Sequence, residues 1–157
     1  MGDVSDQDRV ETVYRAVHPR LWRSLLAYTG DAELTSDAEA EAFAQVLQRA
    51  DAIADVAAWV WRSAFHIASG LLAARSLAND VRPAEVPTAP TDSIAEFLGL
   101  LADLSPQQRA CVALRYVGEY TSPEIGELLG TSAGTVRVQL HRAHAALRHT
   151  IMEAEHA

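Results

Sequence analysis

The chain of 157 residues contains no lysine. All 13 of its cations are arginine, set against 21 Asp and Glu for a formal charge of −8. With alanine abundant, the missing lysine reads first as the codon bias of a GC-rich genome. An acidic total argues against nonspecific coating of nucleic acid, so any DNA contact must be local, weak alone, or assisted by a partner. Cysteine occurs once, at Cys111. That excludes an intramolecular disulfide and fits a reducing cytosol. Cys111 falls between Gln107 and Leu114 on an apolar helical face, the setting of a structural thiol rather than a nucleophile. No apolar run approaches the roughly 20 residues that span a membrane, and no secretory leader is evident. The expectation is a soluble, cytoplasmic chain with no membrane insertion. Also missing are an alternating strand pattern, an internal repeat, a heptad array and a glycine-rich phosphate loop. No Ser-His-Asp or Cys-His set stands out, so no enzyme, no catalytic residue and no cofactor is expected.

What is present is globular: 49% of residues are apolar and 22% charged, a balance that supports a packed core. The length permits one average domain or two small ones. Met1 to Arg9 is polar and reads as a frayed start. Apolar residues at helical spacing from Val10 to Tyr28 predict a helix with a boundary or kink near Pro19. Thr29-Gly30-Asp31 is a turn, and Ser36 or Asp37 offers a cap for a second helix from Asp37 to about Ala50. In it Phe43, Val46 and Leu47 face inward, and Glu39, Glu41 and Gln45 outward. A loop precedes a strongly apolar helix over Val56 to Ala78, where Trp59 and Trp61 cannot both face the core. Pro83, Pro87 and Pro90 mark residues 79–91 as a semi-extended linker. A further helix spans Ser93 to Leu101. Ser105 caps the next with Pro106 at its first position, running to about Val117. Thr121 or Ser122, followed by Pro123, opens a short helix burying Ile125, Leu128 and Leu129. The fold expected is all-α, two small helical domains (10–78 and 92–152) joined by the linker.

The most informative stretch is Gly130 to Arg142. Gly130 ends one helix as a left-handed cap, and Thr131 or Ser132 caps the next. Val136, Leu140, Ala143 and Leu147 then form an inward stripe. At roughly 100° per residue the opposite side carries Gly134, Val138, His141 and Ala145, flanked by Thr135, Arg137, Arg142 and Arg148. Small side chains at the centre permit close approach to base edges, and arginines at the rim reach phosphates or a guanine edge. No Asp or Glu occurs between Glu127 and Glu153, which leaves a locally basic element on an acidic chain. Capped turn and second helix together read as a helix-turn-helix.

Across Leu104 to Arg148 the motifs Leu-Ser-Pro-Gln-Gln-Arg, Leu114-Arg115-Tyr116, Tyr120-Thr-Ser-Pro-Glu-Ile-Gly-Glu-Leu-Leu-Gly, Gly134-Thr-Val-Arg and His141-Arg142-Ala143 follow one another. This segment resembles region 4 of bacterial sigma factors of the extracytoplasmic-function (ECF) group. The resemblance implies recognition of the −35 promoter element in double-stranded DNA by Ser132, Gly134, Thr135, Arg137, Val138, His141 and Arg142. It implies core RNA polymerase as partner, and an anti-sigma factor as a further one. The N-terminal half resembles region 2 of the same family. Asp37, Glu41 and Phe43 fit its polymerase-docking helix, while Ala57-Ala58-Trp59 with Arg62 fits the start of its −10 helix, implying −10 contact through Trp59, Trp61, Arg62 and His66. Departures follow: His66 stands where the family usually has Asn, Gly70 where it has Asp, and of the family's arginine cluster only Arg75 and Arg82 remain.

Two blander readings compete for single residues. His141, His144 and His149 could suggest a metal, but no Cys, Asp or Glu is placed to complete a site, and solvated or phosphate-facing imidazoles are the better account. Asp37 and Glu41 share a helix face that Glu39 does not, so no acidic trio converges. Three functions stay open: an ECF-type sigma factor directing core polymerase to promoters, a sigma-like regulator or decoy without competent −10 melting, and a helix-turn-helix regulator working without polymerase.

Overall fold

A computed structural model describes residues 5–78 and 92–156. The expected linker at 79–91 lies outside them, as do residues 1–4. Every regular element among the described residues is helical. The N-terminal lobe consists of α1 (Asp6–Thr29), α2 (Ala32–Arg49) and α3 (Val56–Leu77), with a 3₁₀ turn at Ala50–Ala52. The C-terminal lobe consists of α4 (Asp92–Ala102), α5 (Pro106–Val112), a π turn (Ala113–Val117), α6 (Ser122–Leu129) and α7 (Ala133–Glu155).

The first helix corrects two expectations. Ser5 is its cap, accepting from Asp8 N at 3.1 Å, so residues 6–9 are helical rather than frayed, and Arg9 is tied to the carbonyls of Ala50 and Ile53. The helix also runs through Pro19 without a boundary. A proline there removes a donor and costs about 3 kcal/mol. Leu21, Leu25, Leu26 and Tyr28 beyond it are all buried, and each such side chain contributes about 1.5–3 kcal/mol, enough to carry the helix onward. Gly30, at φ 70°, then turns the chain left-handed.

The second helix starts five residues earlier than the sequence pattern suggests. Asp31 is its cap, accepting from Leu34 N at 3.0 Å, and Ser36 and Asp37 sit within the helix. Two side chains on it also change sides. Leu47 is 52% exposed, while Glu39 is only 5% exposed and meets His18 Nδ1 at 2.6 Å. Burial raises the Glu39 carboxyl above its ordinary range, opposed in part by His18. Asp31 shows the reverse outcome. Its burial alone would raise it, but the Leu34 N–H and the Arg75 guanidinium, 2.9 Å from Oδ2, hold it below the usual value.

The two lobes share one continuous core. Tyr28 and Phe65 stack at 5.3 Å, Trp61 stacks on Phe65 at 6.4 Å, and Tyr120 from the C-terminal lobe meets Trp61 edge-on at 5.0 Å. Arg109 reaches across as well, with Nε donating to the Tyr28 carbonyl at 2.8 Å and Nη1 to that of Leu104 at 2.8 Å. Cys111 is fully buried in this core and burial pushes its thiol up to about 11, which suits a packing role and not a nucleophile.

Candidate nucleic-acid interface

The turn before α7 is built by local chemistry at both ends. Thr121 and Glu124 form a reciprocal capping box that starts α6. Gly130, at φ 74°, ends it, and Thr131 N donates to the Gly126 carbonyl at 2.8 Å. Ser132 then caps α7, accepting from Thr135 N at 3.1 Å. Its hydroxyl also donates to Thr135 Oγ1 at 2.9 Å. Two of the side chains expected to face DNA are therefore engaged with each other at the helix start.

Packing fixes which way α7 faces. Val136, Leu140 and Ala143 are buried against α5 and α6, and Leu147 packs on the same core. Gly134, Arg137, Val138, His141, Arg142 and Ala145 are exposed, with Thr135 half-buried. Val138 is 47% exposed, an apolar side chain left on an otherwise polar face. Among the described residues Arg137, Arg142 and Arg148 form no ion pair. A Cβ built on Gly134 would meet only Ser132 Oγ at 3.8 Å, so the fold itself has room for a side chain there. What glycine leaves is clear surface at the centre of the face.

The edge of the face marked by Arg137 and His141 continues through His144 and Arg148. From the π turn, Tyr116 places its Oη 2.6 Å from His144 Nε2. Tyr116 belongs to the Leu114-Arg115-Tyr116 motif, but no local pattern ties it to a residue 28 positions later. The π turn itself is held by Gly118 N donating to the Ala113 carbonyl at 2.9 Å. No sequence signal marks that register change.

The residues expected at the −10 element are divided. Arg62 and His66 are exposed and line one cleft of about 580 Å³ between the lobes, opposite Pro106, Gln107 and Glu127. Trp59 is half-buried on the core, and Trp61 is buried beneath Tyr120, with the Arg20 guanidinium 5.9 Å from its ring. Arg75 is held by Asp31, and Arg82 lies outside the described residues. On α2, Asp37 and Glu41 are exposed on one face, whereas Phe43 is buried and meets the Tyr14 ring edge-on at 5.0 Å. Among the described residues no group of His, Cys, Asp and Glu could hold a metal ion, and no helix is long and apolar enough to cross a membrane.

Known proteins resemble both halves of this arrangement. Residues 94–147 match the family described as sigma-70, region 4. The ECF RNA polymerase sigma factor SigL of Mycobacterium tuberculosis is 29% identical over 147 residues, which cover 85% of this chain and 83% of that protein. The RNA polymerase sigma-E factor of Streptomyces coelicolor is 35% identical over 80 residues, 46% of this chain and 45% of that protein. Two solved structures share the all-helical fold. One is the sigma factor RpoE in complex with the anti-sigma factor NepR from Bartonella quintana, at TM-score 0.78 and 16% identity, covering 90% of this chain and 96% of that one. The other is CnrH in complex with the cytosolic domain of CnrY, at TM-score 0.72 and 18% identity, covering 94% and 90%. Residues 94–147 thus match sigma-70 region 4 by sequence, both lobes match by fold, and over most of its length the chain is similar to RNA polymerase sigma factors of the extracytoplasmic-function group.

Proposed function

We propose that this protein directs core RNA polymerase to promoters by laying α7 in the major groove of the −35 element. The observation that carries the reading is the exposed face of α7, small at Gly134 and Ala145, rimmed by Arg137 and Arg142, which form no ion pair among the described residues, and set at a fixed angle by the capped turn from Thr131 to Ser132. Arginine at such an edge contacts guanine bidentately or a phosphate. The protein acts by binding rather than catalysis, in the cytoplasm. On α2, Asp37 and Glu41 present carboxylates to a basic polymerase surface, and Phe43 supports that helix from beneath. Arg137→Ala should weaken promoter binding by about 1–3 kcal/mol in a holoenzyme shift assay. Promoter-dependent transcription unchanged by that substitution would reject the assigned face.

One observation favours a second reading. Trp61 is covered and Arg75 is tied to Asp31, leaving few groups on α3 to hold a single strand, which needs cations and stacking surfaces. A regulator that binds polymerase or an anti-sigma factor without opening DNA would have this character. The structural relatives solved with anti-sigma chains, NepR and the cytosolic domain of CnrY, make an anti-sigma partner a natural one here. Run-off transcription on duplex and premelted promoters separates the readings: activity on both supports the sigma factor, and activity only on premelted DNA supports impaired melting.

A further inference from the structure

The base-reading face of α7 continues along one edge into His144 and Arg148, which the −35 reading does not use. Arg137, His141, His144 and Arg148 are spaced by four, three and four residues, so they share one edge of the helix. Arg137, His141 and Arg148 are exposed and His144 is half-buried. The half-burial has a cause: the Tyr116 ring lies 5.6 Å from the His144 ring, and Oη and Nε2 are 2.6 Å apart. Tyr116 itself remains 56% exposed. Charge along the edge is one-sided. Among the described residues no carboxylate pairs with any of the four, and of the nearby carboxylates Glu119 is paired with Arg20, Glu124 is bonded to Thr121 and Glu153 meets His149.

We infer that Tyr116 and His144, with Arg148, form a clamp for a backbone phosphate of the DNA strand flanking the groove that α7 enters. The hydrogen-bond inventory of the pair supports this. A neutral tyrosine and a neutral imidazole hold one proton between Oη and Nε2. If Tyr116 donates, the imidazole proton sits on Nδ1 and is free. If Nε2–H donates, the phenol proton is free. In either tautomer the pair keeps one donor unspent, one helical turn before Arg148, and that combination suits an anionic oxygen and no base edge in particular. The π turn gives the pair its register. It supplies Tyr116 from a different element from α7, so a phosphate held there would fix the helix's angle in the groove as well as its depth. Such contacts position a protein on duplex DNA without carrying sequence information.

The inference rests on the −35 reading, and the experiment separates the two. Full-length protein with core polymerase is bound to a duplex selected by the wild-type holoenzyme from a random pool, and phosphate-ethylation interference is mapped for wild type, Tyr116→Phe, His144→Gln and Arg137→Ala. The expected result is one phosphate, outside the base-contact positions, whose ethylation blocks wild-type binding but no longer matters to His144→Gln. Affinity should fall about tenfold for His144→Gln and for Tyr116→Phe, by the same factor on a scrambled duplex. Thermal melting of Tyr116→Phe, which keeps its ring, should stay near wild type. If both variants keep the wild-type interference pattern while Arg137→Ala weakens binding, the pair is a tie between helices and the clamp is rejected with the −35 reading intact. If Arg137→Ala is also without effect, both fail together.

Discussion

Glu39 is buried with one oxygen on His18 and the other, Oε2, without a hydrogen-bond partner. Tyr14 stacks on the His18 ring at 4.8 Å, and the imidazole meets only one of the two oxygens. Desolvation therefore prevails, and the carboxyl sits above its usual value. A carboxyl raised in the folded state stabilises the fold while protonated. That contribution is complete below its unfolded value and is lost as pH rises through the folded one. Ionised Glu39 is then a liability at neutral pH, one that Glu39→Gln removes while keeping an acceptor for His18. The variant should gain stability relative to its parent as the solution is taken from about pH 4 to about pH 8. Urea midpoints measured across that range test it; a difference that is flat, or that shrinks with rising pH, would show that Glu39 is not the group responsible.

Two glycines of the helix-turn-helix act for opposite reasons, and the contrast belongs to the element rather than to either residue. At Gly126 a Cβ would come within 2.7 Å of the Thr131 carbonyl oxygen and 3.2 Å of Ala133 N. Both are backbone atoms, fixed because Thr131 N is bonded to the Gly126 carbonyl. Gly126→Ala must push α7 off α6, an overpacking that typically destabilises by about 1–3 kcal/mol. Gly134 has clear space, so Gly134→Leu should leave the melting temperature near wild type while lowering promoter affinity by about tenfold. If Gly134→Leu unfolds the protein, or binds promoter normally, the glycine does not serve ligand approach. These elements were legible because their signals are local: Ser105 with Pro106 and Gln108, Thr121 with Glu124, and Gly130 before Ser132 carry their caps within three residues. What escaped the sequence was decided from a distance. Pro19 stays helical because of the leucines packed after it. α2 starts at Ala32 under the Asp31 cap, whose second carboxylate oxygen is held by Arg75, 44 positions away. Glu39 turned inward to meet His18 from α1. On the candidate interface the face of α7 could be read from periodicity alone, whereas Tyr116 could not, because its neighbour is set by helix packing and a π turn.

At the scale of the whole molecule the two lobes are not independent beads. The aromatic run Tyr28, Phe65, Trp61, Tyr120 crosses from one to the other, Arg109 is anchored on the Tyr28 carbonyl, and Arg20 reaches Glu119 at 3.2 Å. The exposed ion pair adds little; the packed rings and the half-buried guanidinium carry the junction, since an aromatic pair contributes about 0.5–1.5 kcal/mol beyond its burial. This arrangement leaves α7 facing outward, packed only within its own lobe, while Trp61 is covered. A duplex can reach α7 with the lobes together, but a single strand can reach Trp61 only if Tyr120 lifts away. The junction should also make unfolding cooperative. All three tryptophans, Trp22, Trp59 and Trp61, lie in the N-terminal lobe, so fluorescence reports that lobe and its junction at Trp61 while helical circular dichroism reports both lobes. The two signals should share one urea midpoint in the parent. Tyr120→Ala combined with Arg109→Met removes the ring over Trp61 and the anchor on Tyr28, and should shift the native tryptophan emission to the red and separate the two midpoints. Midpoints that already differ in the parent would mean that the shared core does not couple the lobes. Midpoints that stay together in the double variant would place the coupling in contacts other than these two.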